Sequence, residues 1–311
     1  MRILVTGANG QLGQEFKNNV SNSDHEFYFT IENELDITKK KEILDCVTVY
    51  KIELIINCAA YTNVNDAETN KRQAIEVNID AVRNLVEVCE EKKIKMIHFS
   101  TDYVYNSDNL NPINEDSNIN PVNYYGISKR EGEKIIEKSA SDSIIIRTSW
   151  LYSMYGNNFV KTMIKKGEKG QKIYVINDQF GCPTYSKDLV DCTLNIIVSN
   201  KLNKYKVYNF SNEGYTNWYD FTKKIFELKK INCPIIAVNS DKYKSIANRP
   251  KYCITNKSRI KNILRILYQD LKNNLQSVCV ASQHEDLEPQ YFQLGIGQAS
   301  LLLPTLTLAL V

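Results

Sequence analysis

Tyr125 and Lys129 stand four positions apart in Tyr125-Gly126-Ile127-Ser128-Lys129, which puts a phenol and an ammonium on one face of a helix, one turn apart. A free tyrosine titrates at about 10, too high for an efficient acid or base at neutral pH, and an adjacent cation pulls that value down by favouring the phenolate. Such a phenol hands a proton to a carbonyl oxygen as hydride arrives. With 19 tyrosines in the chain the pairing alone is weak, and its neighbours give it weight. In His98-Phe99-Ser100-Thr101-Asp102-Tyr103-Val104-Tyr105, Thr101 follows an apolar run and falls at the C-terminal end of an expected strand. A hydroxyl there can hydrogen-bond a substrate carbonyl and orient it. A Thr-Asp pair also caps helices, and both readings stand at this level.

A hydride needs a carrier, and the first residues supply a place for one. Gly7-Ala8-Asn9-Gly10-Gln11-Leu12-Gly13 is a GxxGxxG pattern between an apolar run, Arg2 to Thr6, and a helical segment from Gln11. Gly7 suits a tight turn, Gly10 lets a pyrophosphate approach the backbone, and Gly13 lets the helix pack closely on the sheet. The helix N-terminus then offers N–H groups and partial positive charge to phosphates. A Walker phosphate loop is excluded because no Gly-Lys-Ser/Thr follows. The second strand ends around Phe29-Thr30-Ile31-Glu32, with neither a clear ribose-binding acid nor an arginine for a 2′-phosphate, so NADPH and NADH both fit, with Thr30 at the adenosine end. Asp36-Ile37 reads either as a flank of the adenine or, with Thr38 following, as a helix cap.

These groups need elements to position them. Apolar runs recur at 27–31, 54–58, 96–100 and 144–148, separated by helical segments at 39–50, 73–91 and 129–139. Alternating βαβ units imply an α/β chain with a Rossmann-type doubly wound parallel sheet. After Trp150 the regularity weakens: 173–176 and 207–210 read as short strands, 186–198 and 218–228 as helices. The expected organisation is a dinucleotide-binding domain over 1–150 and a smaller C-terminal substrate-binding lobe over 151–272, with some chain exchange between them. No Lys or Arg follows Lys272, although all 39 fall within the first 272 residues, and 273–311 reads as a non-native or poorly ordered tail. Its uncharged end, 295–311, is short for a membrane span and contains Pro304.

Composition bounds the partners. The net charge of +3 is small and spread along the chain, without the basic stripe that nucleic acid or an anionic membrane would need, so a small molecule is the expected partner. Eight cysteines lie far apart with no CxxC pair, and three histidines are too few for a zinc site, so no metal is expected and the thiols read as reduced. The N-terminus runs directly into a strand pattern without the features of a signal peptide, which predicts a cytoplasmic protein.

Taken together, the glycine turn, Thr101 and the Tyr125/Lys129 pair resemble the extended short-chain dehydrogenase/reductase family, in particular its members that reduce deoxysugar nucleotides. The likeness covers residues 1 to about 265 and runs past the cofactor half through Asn57–Thr62, Asn123–Gly126, Arg147–Tyr152, Gly156–Val160, Val175–Gly181, Pro183-Thr184, Trp218–Phe221 and Arg249-Pro250. The resemblance implies that Gly10, Gln11, Leu12, Asp36, Ile37, Ala60, Tyr61, Thr62 and Phe99 line the dinucleotide, with Tyr125 and Lys129 at its nicotinamide ribose. It places Thr101, Asp102 and Trp150 toward the sugar, although Trp150 equally reads as core, and brings Arg249 to the diphosphate, although a surface ion pair is as good a reading. Cys182 and Cys253 depart modestly from the family pattern, and the C-terminal helix reads as shortened.

The implied reaction is reduction of the C4 keto group of a dTDP-6-deoxy-4-ketohexose in dTDP-rhamnose biosynthesis, by a monomer or homodimer. Two alternatives remain. A dehydratase or epimerase shares the fold and the Tyr/Lys pair, but a dehydratase needs a second acid after Thr-Asp, where Tyr103 stands. A non-catalytic regulatory subunit of the same family would have no need of intact Thr101, Tyr125 and Lys129.

Overall fold

A computed structural model describes residues 1–21, 23–199, 206–243 and 245–264. The stretch 273–311, expected to be a non-native or poorly ordered tail, lies outside the described residues.

The first half alternates as expected. Strands β1 (Arg2–Thr6), β2 (Glu26–Thr30), β3 (Leu54–Asn57), β4 (Lys95–Thr101) and β5 (Ser143–Thr148) are interleaved with helices α1 (Gln11–Asn19), α2 (Lys40–Val49), α3 (Asp66–Thr69), α4 (Lys71–Ile75), α5 (Ala81–Lys92) and α6 (Tyr124–Lys138). The second half contributes β6 (Leu151–Tyr152), α7 (Phe159–Glu168), β7 (Ile173–Ile176), β8 (Phe180–Gly181), β9 (Thr184–Tyr185), α8 (Ser186–Ser199), β10 (Val207–Phe210), β11 (Thr216–Asn217), α9 (Trp218–Lys229), β12 (Ile235–Val238), β13 (Tyr252–Cys253) and α10 (Ser258–Leu264).

Six strands form one sheet in the order β10-β5-β4-β3-β1-β2, with every neighbouring pair parallel. A parallel sheet is covered on both faces, so its strands must be apolar on both sides. The chain obeys this residue by residue. Ile3, Val5, Leu54, Ile56, Ile97, Phe99, Ile144 and Ile146 enter one core, while Leu4, Ile55, Met96 and Ile145 enter the other. The first core is closed by α1 and α8 and the second by α2, α5 and α6. Strand order reverses between β1 and β3, and the crevice at their C-terminal ends is where doubly wound sheets bind ligands.

Two stretches after Trp150 return to this half: Val207–Phe210 pairs with β5 as the edge strand, and Ser186–Ser199 packs on α1. What stays apart is a small lobe in which β7 and β12 pair and α7 and α9 bury Val160, Met163, Phe221 and Phe226. Two helices differ from the sequence pattern. The helix expected over 73–91 is interrupted by a π turn at Glu76–Asp80, where Asn78 turns its amide to the Tyr61 backbone and to Ser128. The helix expected from Lys129 begins at Tyr124, because the Asn123 side chain accepts the Gly126 N–H and caps it there.

Candidate active site

One cavity of about 630 Å³ opens at the C-terminal ends of the central strands, and residues from both halves line it. On the near side are Gly10, Gln11 and Leu12 at the start of α1. No side chain caps this helix, so its first N–H groups remain available to an anion. The turn before it is tight. Gly7 has φ +65°, and a Cβ there would lie 2.7 Å from the Ala59 nitrogen. At Gly13 a Cβ would lie 2.4 Å from the Gly7 carbonyl oxygen, so α1 is seated directly on the turn. Ala60 and Thr62 from the loop after β3, and Phe99 from β4, continue this wall.

Thr101, Asp102, Tyr125 and Lys129 converge on the same cavity. Thr101 ends β4, accepts the Tyr103 N–H at 3.1 Å as the cap of a short 3-10 turn, and lines the cavity beside Tyr125. The capping reading of Thr101 is thus present in the geometry. Burial pushes the Tyr125 phenol up to about 12, against the opposing pull of the Thr101 hydroxyl. The expected depression of this phenol by Lys129 is not present. Lys129 instead donates to the Phe99 carbonyl at 2.7 Å and meets His98 Nε2 at 3.2 Å, and burial pulls its own value down to about 8. A buried ammonium with few partners costs too much to hold its full basicity. Asp102 is also buried, its carboxyl raised to about 7, with Oδ2 unpartnered.

The far side comes from distant segments. Trp150 has φ +45°, an unusual conformation for a tryptophan, and its ring stacks on Trp218 with centroids 3.3 Å apart and planes 7° from parallel. Gly181 lies so close behind that a Cβ would come within 2.6 Å of the indole. Gly156 and Asn157 complete this rim, and Asn158 donates to Gln11 at 2.9 Å, tying the small lobe to the glycine turn.

The comparisons with known proteins decide the family. The model described as RmlD substrate binding domain matches residues 1–283. The chain belongs to the RmlD family. It is 36% identical over 287 residues to a dTDP-4-dehydrorhamnose reductase of Aggregatibacter actinomycetemcomitans, covering 89% of this chain and 98% of that protein. Against a dTDP-4-dehydrorhamnose reductase of Escherichia coli the identity is 33%, with 80% and 87% covered. Among solved structures, a dTDP-4-dehydrorhamnose reductase from Clostridium acetobutylicum superposes with a TM-score of 0.86 at 32% identity, covering 91% of this chain and 100% of that one. One from Bacillus anthracis, determined in complex with NADP, gives 0.84 at 33%, covering 90% and 99%.

Several residues expected to bind in this RmlD-family chain stand outside the cavity. Gly7 and Gly13 lie beneath it and shape the turn. The Thr30 carbonyl accepts the Ala8 N–H, Ile37 is packed in the second core, and Asp36 accepts both the N–H and hydroxyl of Thr38 in a local turn ahead of α2, which starts at Lys40 without a side-chain cap, so the cap reading of Asp36 does not hold. Tyr61 turns its phenol to Asp66. Arg249 lines a separate surface hollow with Asn106, Lys251 and Tyr252, where it bonds Ser245, Ala247 O and Asn65, although its charge still reaches Tyr103. Conversely Trp218, Gly156, Asn157, Cys58 and Val64 line the cavity without having been singled out from the sequence. For Trp218 the signal was present, as the first residue of Trp218–Phe221, but nothing in the sequence pairs it with Trp150. Among the described residues, no group of three or more His, Cys, Asp or Glu is arranged to hold a metal.

Proposed function

We propose that this chain reduces the C4 keto group of dTDP-4-dehydro-6-deoxy-L-mannose to dTDP-L-rhamnose, with NADPH or NADH as hydride donor. The observation that carries the reading is the meeting, in one cavity, of an uncapped helix N-terminus with Thr101, Tyr125 and Lys129. The site suits the dinucleotide: Gly10 to Leu12 present backbone donors to a pyrophosphate, and a Cβ at Gly10, 3.2 Å from the Gly7 oxygen, would crowd that approach. When bound, the reduced nicotinamide supplies the hydride.

The chain's own residues then do the rest. Thr101 orients the sugar carbonyl, Tyr125 gives its proton to the carbonyl oxygen, and Lys129 holds the nicotinamide ribose and favours the phenolate left behind. Asp102 and Trp150, with Trp218 behind it, face the sugar. Arg249, from the neighbouring surface hollow where its charge reaches Tyr103, is assigned to the diphosphate. Asp36, Ile37 and Thr30 are assigned to the adenosine end, and Ala60, Tyr61, Thr62 and Phe99 to the wall between. The cofactor belongs to the half spanning 1–150 and the nucleotide sugar to the following lobe.

A dehydratase would need a second acid beyond Asp102, and the residue there is Tyr103, half-buried and edge-on to Tyr125 with centroids 5.9 Å apart. The working form is a cytoplasmic monomer or homodimer, in keeping with a water-soluble nucleotide-sugar substrate. No described helix is long and apolar enough to cross a membrane. The test is loss of NADPH or NADH absorbance, one equivalent per keto sugar added. Binding of the keto sugar without consumption of either cofactor would refute the reductase reading.

A further inference from the structure

Behind Lys129 runs a chain of buried polar groups that the reaction outlined above does not use. His98 on β4, Asn57 at the end of β3 and Thr6 at the end of β1 are each 1% exposed, and Lys129 is 2% exposed. Lys129 Nζ meets His98 Nε2 at 3.2 Å, His98 Nδ1 meets Asn57 Nδ2 at 3.0 Å, and Asn57 Oδ1 takes the Thr6 hydroxyl at 2.7 Å and the Ala59 backbone N–H at 3.2 Å.

The donors and acceptors in this chain have one consistent assignment. A backbone N–H cannot reverse its role, so Ala59 fixes Asn57 with its oxygen toward Ala59 and its amide nitrogen toward His98. The amide nitrogen only donates, so His98 Nδ1 must accept. A neutral imidazole that accepts at Nδ1 carries its proton on Nε2, which is the nitrogen facing Lys129. An ammonium there would set donor against donor, whereas an amine accepts the Nε2–H with its lone pair and still donates to the Phe99 carbonyl.

We propose that Asn57 fixes the His98 tautomer with Nε2–H toward Lys129, making His98 a positioning residue that holds Lys129 as a neutral amine at neutral pH in the cofactor-free site. This deepens the function proposed above, in which Lys129 meets the nicotinamide ribose. Lys129 then becomes an ammonium only as it leaves this arrangement.

Burial acts in the same direction on both groups: it keeps His98 well below the ordinary imidazole range and brings Lys129 down to about 8, and the facing Nε2–H, a donor that only the amine form accepts, lowers it further. The charged groups around α6 do not offset this. Glu133, on α6 itself, raises Lys129 but is held by Arg147 from β5 and by Arg130. Asp102, after β4, is bonded to Thr101. Facing α6 from α3, α4, the π turn and α5, Asp66 bonds Tyr61, Glu68 accepts the Tyr124 N–H, Lys71 lies over the Tyr124 ring, and Arg72 and Arg83 pair with Glu76 and Asp80.

The test is the side-chain nitrogen spectrum of the full-length protein, in which the His98 signals are those lost in His98→Asn, one of only three histidines. The expected result is a neutral ring at about pH 7 with Nδ1 unprotonated and Nε2 protonated. A ring protonated on Nδ1, or on both nitrogens, overturns the proposal. In Asn57→Asp the carboxylate takes an Nδ1–H, the Nε2 lone pair turns to Lys129, and Lys129 becomes an ammonium. The pH at which NADPH binding weakens should then rise by a unit or more, about tenfold in affinity on the basic side. A reversed tautomer with an unmoved binding profile overturns the control of Lys129 by His98. Failure of the reductase reading would look different, as a wild-type protein that consumes neither dinucleotide at any pH while the His98 spectrum stays as expected.

Discussion

The two walls of the cavity are built by opposite means. The near wall is built on one unbroken stretch, Gly7 to Gly13, in which Gly10 and Gly13 each approach the Gly7 carbonyl within seven residues and Gly7 itself abuts the Ala59 backbone after β3. The far wall is assembled from Trp150, Gly156, Gly181 and Trp218, and its geometry depends on a tryptophan in a left-handed conformation stacked on another 68 positions away. A local wall serves a cofactor shared by many enzymes. A wall pieced together from separate segments is where one substrate is told from another, because each segment can change without disturbing the turn.

Substitutions should separate the two walls. Tyr125→Phe, at the junction, removes the transferable proton and should lower kcat by about 10²- to 10⁴-fold while leaving dinucleotide affinity nearly intact, as read by single-turnover kinetics and cofactor titration. Near-normal turnover would withdraw the proton from Tyr125. Gly13→Ala pushes a methyl into the backbone of Gly7 and Ala8 and should cost about 1–3 kcal/mol, with dinucleotide binding weakened in step. Denaturant unfolding and cofactor titration measure the two losses. If affinity stays at the wild-type level, the near wall is not the dinucleotide site.

Trp218→Ala should act on the other wall alone, raising KM for the keto sugar about tenfold with the cofactor Kd unchanged. A parallel loss of cofactor affinity would erase the distinction drawn here. The smallest effect is expected at Asp102, whose carboxyl is raised in the folded chain to about 7 from 3.8. The folded form holds the proton more tightly than the unfolded one, so this contribution is full below about pH 4 and is lost as pH rises through about 7. Asp102→Asn should therefore flatten that decline and melt higher than wild type at about pH 8, by about 1–3 kcal/mol of stability. An unchanged melting profile would mean that Asp102 is solvated.

The same contrast governs what could be read from the sequence. Unbroken apolar runs that alternate between two cores gave the strands directly, and the glycine turn and the i, i+4 spacing of Tyr125 and Lys129 were legible because most of their constraints lie within one or two turns of chain, Gly7 against Ala59 being the exception. Long-range facts stayed hidden. Nothing local tells Val207–Phe210 that it closes the main sheet or pairs Trp218 with Trp150. The neighbour-charge rule for Tyr125 and Lys129 was sound as chemistry, but it could not anticipate that Lys129 would turn to Phe99 and His98 and that burial would drive the phenol upward. At Asp36 the carboxylate closes a local turn onto Thr38, while α2 begins only at Lys40 and carries no side-chain cap, so the plainer reading as a helix cap missed as well.

The Arg147–Glu133 contact joins the two kinds of construction. Both groups are out of water, the guanidinium and carboxylate meet in two parallel bonds of 2.8 and 2.7 Å, and Tyr105 and the Glu115 carbonyl hold the other side of Arg147. Glu133 lies one turn beyond Lys129 on α6, and Arg147 lies three residues before Trp150 at the end of β5. The pair therefore works as an alignment pin between the helix that carries Tyr125 and Lys129 and the strand that leads into Trp150. A bidentate contact fixes direction as well as distance, so the end of β5 before Trp150 is held in register with the Lys129 face of α6.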